Sequence, residues 1–343
     1  MLEHGGRVRR AAEQYGLPLG RWLDLSTGLN PVPWQGAEPP LNSWARLPED
    51  EDELAPAAHA YYGAPLALPI AGSQAAIQTL PHLRPPGRVG LLATSYAEHQ
   101  YHWRRAGHRI SLLTAAECAP ASEELDVLVL VNPNNPTGER FMPEDLSAWH
   151  ARLLARGGWL VVDEAFVDTS PELSLATLCD RDGLIVLRSL GKFFGLAGAR
   201  VGFALAAAPL LHALAERLGP WSLAGPSRFV ATQALRDRSW QEATRRRLTA
   251  DGQRLNRLLA RCGLSPSGGT ALFQWVLTPQ AAWIQDRLAR NGILVRLFEA
   301  PASLRFGLPH AAEDWERLEA CLRALRLAEP VVHASPAPAA SPS

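Results

Sequence analysis

The chain has 343 residues, a hydrophobic fraction of 47%, and 34 basic residues balanced by 34 acidic residues. A single core stops growing at roughly 250 to 300 residues, so this length predicts two structural parts. The zero net charge excludes a general electrostatic attraction to nucleic acid or to an anionic membrane. Any bound anion must therefore be held by a local cluster of donors.

Cysteine usage and the N-terminal sequence bear on location. The four cysteines lie far apart and form no C-x-x-C pair, which argues against a disulfide framework and against a zinc site. The first residues lack the apolar segment of a signal peptide, and no apolar run approaches the roughly 18 residues of a membrane-spanning helix. We therefore expect a cytoplasmic protein with reduced thiols, which are Cys118, Cys179, Cys262 and Cys321.

The first 50 residues are rich in Pro, Gly and Trp, which predicts an irregular arm that lies across another surface. From residue 64 onward, short and continuously hydrophobic runs alternate with segments of helical period. Runs without polar alternation are typical of strands covered on both faces of a largely parallel sheet. The predicted strands lie within residues 88–94, 125–133, 157–166, 183–190 and 201–206.

After Pro209 the pattern becomes mostly helical, and residues 236–263 combine an apolar stripe with an arginine-rich face. The arginine triplet at 245–247 is either a phosphate-binding patch or a solvated helix face, and the solvated face is the favoured interpretation. From about residue 265, short apolar runs and a closing helix at 311–328 predict a small α/β lobe.

These changes of pattern divide the chain into four predicted parts. Residues 1–50 form the arm and part of the small lobe, and residues 51–225 form the large domain. Residues 226–328 form a connecting helix and the small C-terminal domain. Residues 329–343 are a tail rich in Pro, Ala and Ser, which we expect to be disordered.

Polar residues follow four of the buried runs. The motif "NPNNPTG" follows the run at 125–131, an Asp-Glu pair ends the run at 159–162, "RSLGK" ends the run at 183–187, and "GSQ" opens a helix after residue 71. Ligands of parallel α/β sheets collect at the carboxyl ends of the strands. These four motifs are therefore predicted to line one site.

With these motifs the chain resembles the class I/II aminotransferase family of fold-type I pyridoxal 5'-phosphate (PLP) enzymes, over nearly its whole length except the tail. The resemblance implies an α/β fold in which a mostly parallel seven-stranded sheet lies between helices, with a small α/β lobe. It also implies PLP as the cofactor of the large domain, and a homodimer. The stretches "HGG" and "GPWSLAG" are similar to the branch of this family that decarboxylates threonine phosphate in cobalamin biosynthesis.

Lys192 is the only lysine of the chain, since the other 33 of the 34 basic residues are arginine. Only an amine condenses with an aldehyde, and an enclosed, charged site lowers the pKa of such an amine. The resemblance implies that Lys192 holds the cofactor.

The resemblance assigns the remaining cofactor contacts. Asp163 pairs with the pyridine nitrogen, as an electron sink requires, although an aspartate at a strand end is often only a helix cap. Tyr96 stacks on the pyridine ring, and Asn135 contacts the ring hydroxyl. The donors for the cofactor phosphate are Gly72, Ser73, Gln74, Ser189 and Arg200.

Substrate contacts follow from the same resemblance. Arg305 binds the substrate carboxylate, and bidentate pairing suits that role. Arg296 binds a substrate phosphate, while His4 and Gly5 of the arm provide an anion contact as the arm folds over the site. Asn135 also borders the substrate.

Two positions depart from the family pattern. The family's "RYPD" reads "RLPED" here, so Leu47 replaces a tyrosine that reaches the cofactor phosphate of a neighbouring subunit. Gly28 stands where the decarboxylase branch has an asparagine that contacts substrate. We expect changed phosphate or substrate binding at these two places.

The predicted function is PLP-dependent decarboxylation of O-phospho-L-threonine to (R)-1-aminopropan-2-ol O-phosphate, so the partner is a small phosphorylated amino acid. The first alternative is transamination of the histidinol-phosphate type, and Phe166 in place of that enzyme's usual tyrosine argues against it. The second is a non-catalytic binding protein, which would have no need of Lys192 and Asp163 together. No metal is predicted, since His99 and His102 fit no common ligand spacing with the next histidine, His108.

Overall fold

A computed structural model of the chain describes residues 3–327. The predicted disordered tail lies outside the described residues. The strands are β1 (Leu23–Asp24), β2 (Leu68–Ile70), β3 (Arg88–Leu92), β4 (Arg109–Leu113), β5 (Val127–Val131), β6 (Trp159–Asp163), β7 (Leu184–Ser189), β8 (Gly202–Ala206), β9 (Gly268–Thr270), β10 (Phe273–Leu277), β11 (Ile293–Leu294), β12 (Arg296–Phe298) and β13 (Ser303–Gly307).

The helices alternate with the strands up to β8 and dominate the chain after it. They are α1 (Val8–Tyr15), α2 (Asn42–Ala45), α3 (Leu54–Tyr62), α4 (Ser73–Thr79), α5 (Ala97–Arg105), α6 (Cys118–Ala121), α7 (Pro143–Leu154), α8 (Ala208–Leu218), α9 (Gly225–Arg236), α10 (Arg238–Arg261), α11 (Ala281–Arg290) and α12 (Ala312–Leu327). Within the described range, no helix is both long and apolar enough to cross a membrane.

The main sheet has seven strands in the order β2-β8-β7-β6-β5-β3-β4. Only β8 runs antiparallel to its neighbours, so the sheet is mostly parallel, as predicted. Side chains of β5 show why its sequence is hydrophobic throughout. Leu128 and Leu130 belong to the core on one face of the sheet, and Val127 and Val129 belong to the core on the other face.

A second, antiparallel sheet has the order β12-β13-β10-β9, and β1 pairs in parallel with β11. The pairing of β1 with β11 joins the N-terminal segment to the C-terminal part of the chain. The four-part division of the chain stays a prediction.

Three local expectations differ from the structure. The arm is not irregular throughout, because it contains α1, which ends at Gly16 in the left-handed region with a φ of 66°. Strand β4 was not predicted, since it lies at the sheet edge with much of its surface exposed and lacks a continuous apolar run. The arginine triplet is only partly solvated, since Arg245 donates to Asp168 O at 2.9 Å and Arg247 to Asn30 Oδ1 at 2.8 Å.

Candidate active site

A cavity of about 370 Å³ opens at the carboxyl ends of β5, β6 and β7, where the strand-end motifs were predicted to meet. It is bounded by the start of α4 on one side and by Tyr96, the residue before α5, on another. The predicted cofactor residues all line it: Gly72, Ser73, Gln74, Tyr96, Asn135, Asp163, Ser189, Lys192 and Arg200.

Lys192 borders this cavity in the loop after β7, with Nζ 5.4 Å from the centre of the Phe166 ring. Burial lowers the Lys192 pKa to about 8, helped by the cations Arg305 and Arg200 and opposed by Asp163. About one tenth of this amine is therefore neutral and nucleophilic at pH 7, far more than of an ordinary lysine.

Asp163 ends β6 and is buried, with only 3% of its surface exposed. Its Oδ1 accepts the Ala165 N–H at 3.1 Å, and its Oδ2 lies 3.0 Å from His99 Nε2. His99 is equally buried, and its Nδ1 has no hydrogen-bond partner among the described residues. Sequence reasoning treated His99 only as a metal candidate. The signal that could have found it is its spacing of three from Tyr96, which places both side chains on one side of the first turn of α5.

The opposite end of the cavity is built for an anion. Gly72 has a φ of 76°, and a Cβ atom there would stand 2.7 Å from Arg200 Nη2. Arg200 itself adopts the left-handed region, with a φ of 54° that few non-glycine residues show. Ser189 Oγ accepts the Gly191 N–H at 3.2 Å. Glycine at position 72 therefore keeps the space beside the guanidinium open.

A second cavity of about 430 Å³ shares His4, Tyr96, Asn135 and Lys192 with the first. Arg305 lies on its wall, and burial together with the nearby cation Arg296 lowers the Arg305 pKa to about 10. The Arg305 guanidinium donates to Ser26 O at 2.6 Å and to Asn135 Oδ1.

The N-terminal arm closes one side of this second cavity. Arg296 donates to Glu3 O at 2.7 Å, and His4 Nε2 lies 2.7 Å from Glu98 Oε1. Gly5 packs against the backbone of Ser26 so tightly that a Cβ atom would stand 2.3 Å from the Ser26 carbonyl oxygen. The structure thus brings the predicted residues Arg296, His4 and Gly5 to one place.

The two departures from the family pattern, Gly28 and Leu47, lie in different places. Gly28 lies behind the Arg305 guanidinium, and a Cβ atom there would stand 3.2 Å from Phe273 and 3.6 Å from Phe166. Leu47 lies outside both cavities, and 65% of its surface is exposed.

A buried ion network supports the strand ends from behind. Arg188 of β7 donates to Glu164 Oε2 at 2.9 Å and to Asp168 Oδ1 at 2.6 Å, and all three side chains are buried. Glu164 also accepts hydrogen bonds from Ser174 Oγ and the Leu175 N–H, so it faces away from the cavities. The network fixes the ends of β6 and β7, which carry Asp163 and lead into the Lys192 loop.

A family model described as aminotransferase class I and II matches residues 66–325. The chain belongs to this family. A relative from Pseudomonas aeruginosa named threonine-phosphate decarboxylase is 59% identical over 322 residues, which cover 94% of this chain and 97% of that protein. A relative of the same name from Sinorhizobium sp is 41% identical and covers 94% of this chain and 98% of its own length.

The chain is also similar in structure to histidinol-phosphate aminotransferase from Sinorhizobium meliloti, solved in complex with pyridoxal-5'-phosphate. It aligns with a TM-score of 0.80 at 22% identity and covers 96% of each chain. This likeness shows that the fold is shared.

PLP is the cofactor that this site fits. The first cavity contains the amine of Lys192, whose low pKa allows it to be neutral, and the buried carboxylate of Asp163. It also contains an open space between Gly72 and Arg200 that a side chain at position 72 would fill. An aldehyde, a ring nitrogen and a phosphate are the three groups of PLP that such residues would hold.

Proposed function

We propose that this protein decarboxylates O-phospho-L-threonine to (R)-1-aminopropan-2-ol O-phosphate with PLP as its cofactor, a step of cobalamin biosynthesis. The observation that carries the proposal is the second cavity, where Arg305, Arg296 and His4 lie together beside Lys192. Two anionic groups on one small substrate, a carboxylate and a phosphate, match the two guanidinium groups of Arg305 and Arg296, with the His4 imidazole as a further hydrogen-bonding group. The names of the two curated relatives point to the same substrate.

The bound cofactor supplies an electron-withdrawing ring that accepts the electron pair left when CO₂ departs from Cα. Asp163 holds a proton at the ring nitrogen, and His99 fixes the orientation of the Asp163 carboxylate through the 3.0 Å contact. Lys192 Nζ holds the cofactor between turnovers. Because its pKa is about 8, Nζ can also carry the proton that replaces CO₂ at Cα.

Substrate orientation decides which bond at Cα breaks. Arg305 binds the carboxylate and is itself held by Ser26 O and Asn135. Arg296 and His4 bind the phosphate at the arm side of the cavity. Two separated anchors would fix the rotation about the bond from Cα to nitrogen and would thereby select which bond at Cα is presented for cleavage.

Transamination of the histidinol-phosphate type is the second candidate, and one observation weighs against it. Phe166 packs edge-on against Phe273, with ring centres 5.1 Å apart, and presents no hydroxyl where that enzyme usually has a tyrosine. A non-catalytic binder is disfavoured because it would not need the low pKa of Lys192 beside buried Asp163.

We also propose a homodimer in the cytoplasm. Exposed apolar side chains cluster near the arm, and Trp44 and Leu47 expose 68% and 65% of their surface. A second copy of the chain would cover them. Within residues 3–327 the four cysteines form no disulfide bond, which is compatible with a reducing compartment. A dimer mass in analytical ultracentrifugation that falls to the monomer in a Trp44→Glu, Leu47→Glu variant supports this assembly, and a wild-type monomer refutes it.

The test of the reaction supplies O-phospho-L-threonine to the holoenzyme with and without 2-oxoglutarate. CO₂ release that does not depend on the keto acid supports decarboxylation. Glutamate formation overturns it in favour of transamination. If neither product forms although PLP is bound, the result supports the non-catalytic binding protein.

A further inference from the structure

Glu98 is a buried carboxylate to which no role has yet been given, and 9% of its surface is exposed. It is the second residue of α5 and lies two positions after Tyr96. Its side chain lines the cofactor cavity, and its hydrogen-bond partner His4 lines both cavities. Glu98 thus stands at the boundary between the two binding spaces.

One oxygen of this carboxylate is held by side chains of two helices. Glu98 Oε2 accepts from Gln74 Nε2 at 2.8 Å and lies 3.0 Å from His102 Nε2. Gln74 belongs to α4, and His102 lies one turn further along α5. Contacts from two helices hold the carboxylate in one rotamer.

The other oxygen, Oε1, meets the arm through His4 Nε2 at 2.7 Å. Pairing with a carboxylate favours the forms of the imidazole in which Nε2 carries a proton, and the second ring nitrogen, Nδ1, donates to a phosphate oxygen when it carries a proton as well. A carboxylate that binds one ring nitrogen in this way fixes the orientation of the histidine ring.

We propose that Glu98 is a positioning residue that fixes His4 for the phosphate of the substrate. This inference deepens the proposed function and rests on it, since it names the residue on which the phosphate contact of the arm depends. Burial raises the pKa of Glu98, but hydrogen bonds from Gln74, His4 and His102 outweigh this effect and lower the pKa below its ordinary value. The carboxylate is therefore ionised when the enzyme works.

A glutamine at position 98 cannot replace the carboxylate. Both oxygens of Glu98 accept hydrogen bonds, whereas an amide offers one oxygen and one donor nitrogen. If the amide oxygen keeps Gln74 and His102, the amide nitrogen faces His4 Nε2, which can then act only as an acceptor, so His4 loses its charge-assisted contact to a carboxylate. Glu98→Gln therefore removes the charged contact that anchors the arm, with little change of volume.

The main test measures kcat and KM for O-phospho-L-threonine in the Glu98→Gln holoenzyme at saturating PLP. A charged hydrogen bond is lost from the ground state and the transition state alike, so KM rises about tenfold or more while kcat stays within about threefold. The matched control is Glu144→Gln, an exposed glutamate in the first turn of α7, which leaves both constants unchanged.

A double-mutant cycle shows whether Glu98 acts through His4. His4→Gln alone raises KM by a similar factor, and the double variant is no worse than the worse single variant. Additive effects of the two substitutions overturn the proposal, because they mean that Glu98 acts independently of His4. An unchanged KM in Glu98→Gln also overturns it.

Failure of the proposed function can be distinguished from failure of the role proposed for Glu98. If the wild-type enzyme releases no CO₂ from O-phospho-L-threonine, the reaction assignment fails, and hydrogen exchange then tests the anchor without substrate. Faster exchange at residues 3–7 of the Glu98→Gln holoenzyme than of the wild type supports Glu98 as the residue that fixes the arm. Equal exchange overturns it.

Discussion

The low pKa of Lys192 allows a direct test of the site, because this is the only lysine in the sequence. Burial is the main cause of the low value, and Arg305 and Arg200 add to it while Asp163 acts against it. An amine-specific reagent therefore reports one side chain in the whole protein, apart from the chain terminus.

The size of the effect follows from the pKa of about 8 against the ordinary value of 10.5. At pH 8, about half of the Lys192 amines are neutral, compared with about 0.3% of unperturbed lysines. The apoenzyme is acetylated with a trace of reagent from pH 6.5 to 11 beside free N-acetyl-lysine, and the peptide containing Lys192 is quantified by mass spectrometry. We expect a labelling midpoint near pH 8.

Two variants test the sign of each cause. Arg305→Met removes a cation that disfavours the charged amine, so the midpoint moves upward. Asp163→Asn removes the carboxylate that favours the charged amine, so the midpoint moves downward. A wild-type midpoint equal to that of N-acetyl-lysine, or a shift of both variants in the same direction, would refute the electrostatic account of this site.

The other structural predictions concern the phosphate cradle and the buried network. Gly72→Ala places a Cβ atom 2.7 Å from Arg200 Nη2, at a residue whose φ is 76°. We expect this variant to bind PLP at least about tenfold more weakly in a fluorescence titration. The control Gly198→Ala, at an exposed glycine, binds PLP normally. Arg188→Met leaves Glu164 and Asp168 buried without their partner, which costs about 3 to 5 kcal/mol in urea unfolding. The exposed Arg323→Met variant loses less than about 1 kcal/mol of unfolding free energy. Equal losses of unfolding free energy in the Arg188→Met and Arg323→Met variants would contradict this reasoning.

Strand positions were accessible to sequence reasoning because β5, β6, β7 and β8 are covered on both faces and are continuously apolar over most of their length. The polar residues at or directly after the ends of three of them then had to meet at one edge of the sheet. Strand β4 could not be found in this way, because an edge strand needs no continuous apolar run. Helix α1 was missed for a related reason, since only Ala11 of its residues is buried.

The functional residues of the site were likewise only partly accessible from the sequence. Lys192 and Asp163 are recognisable from local motifs, and the structure places both in the first cavity. His99 and Glu98 act through contacts with residues 64 and 94 positions away in the chain, which no local pattern contains. Their common feature, a place in the first turn of α5 after Tyr96, acquires meaning only when the neighbouring side chains are known.

The central claim is that the bond from Cα to the carboxylate breaks. The most direct measurement follows O-phospho-L-threonine labelled with ¹³C in its carboxyl group by NMR, in deuterated buffer and without a keto acid. We expect the label to leave as CO₂ and bicarbonate, in equal amount to 1-aminopropan-2-ol phosphate that carries one deuteron at C1. Label that stays in the substrate under these conditions, and moves into a 2-oxo acid when 2-oxoglutarate is then added, would contradict the account.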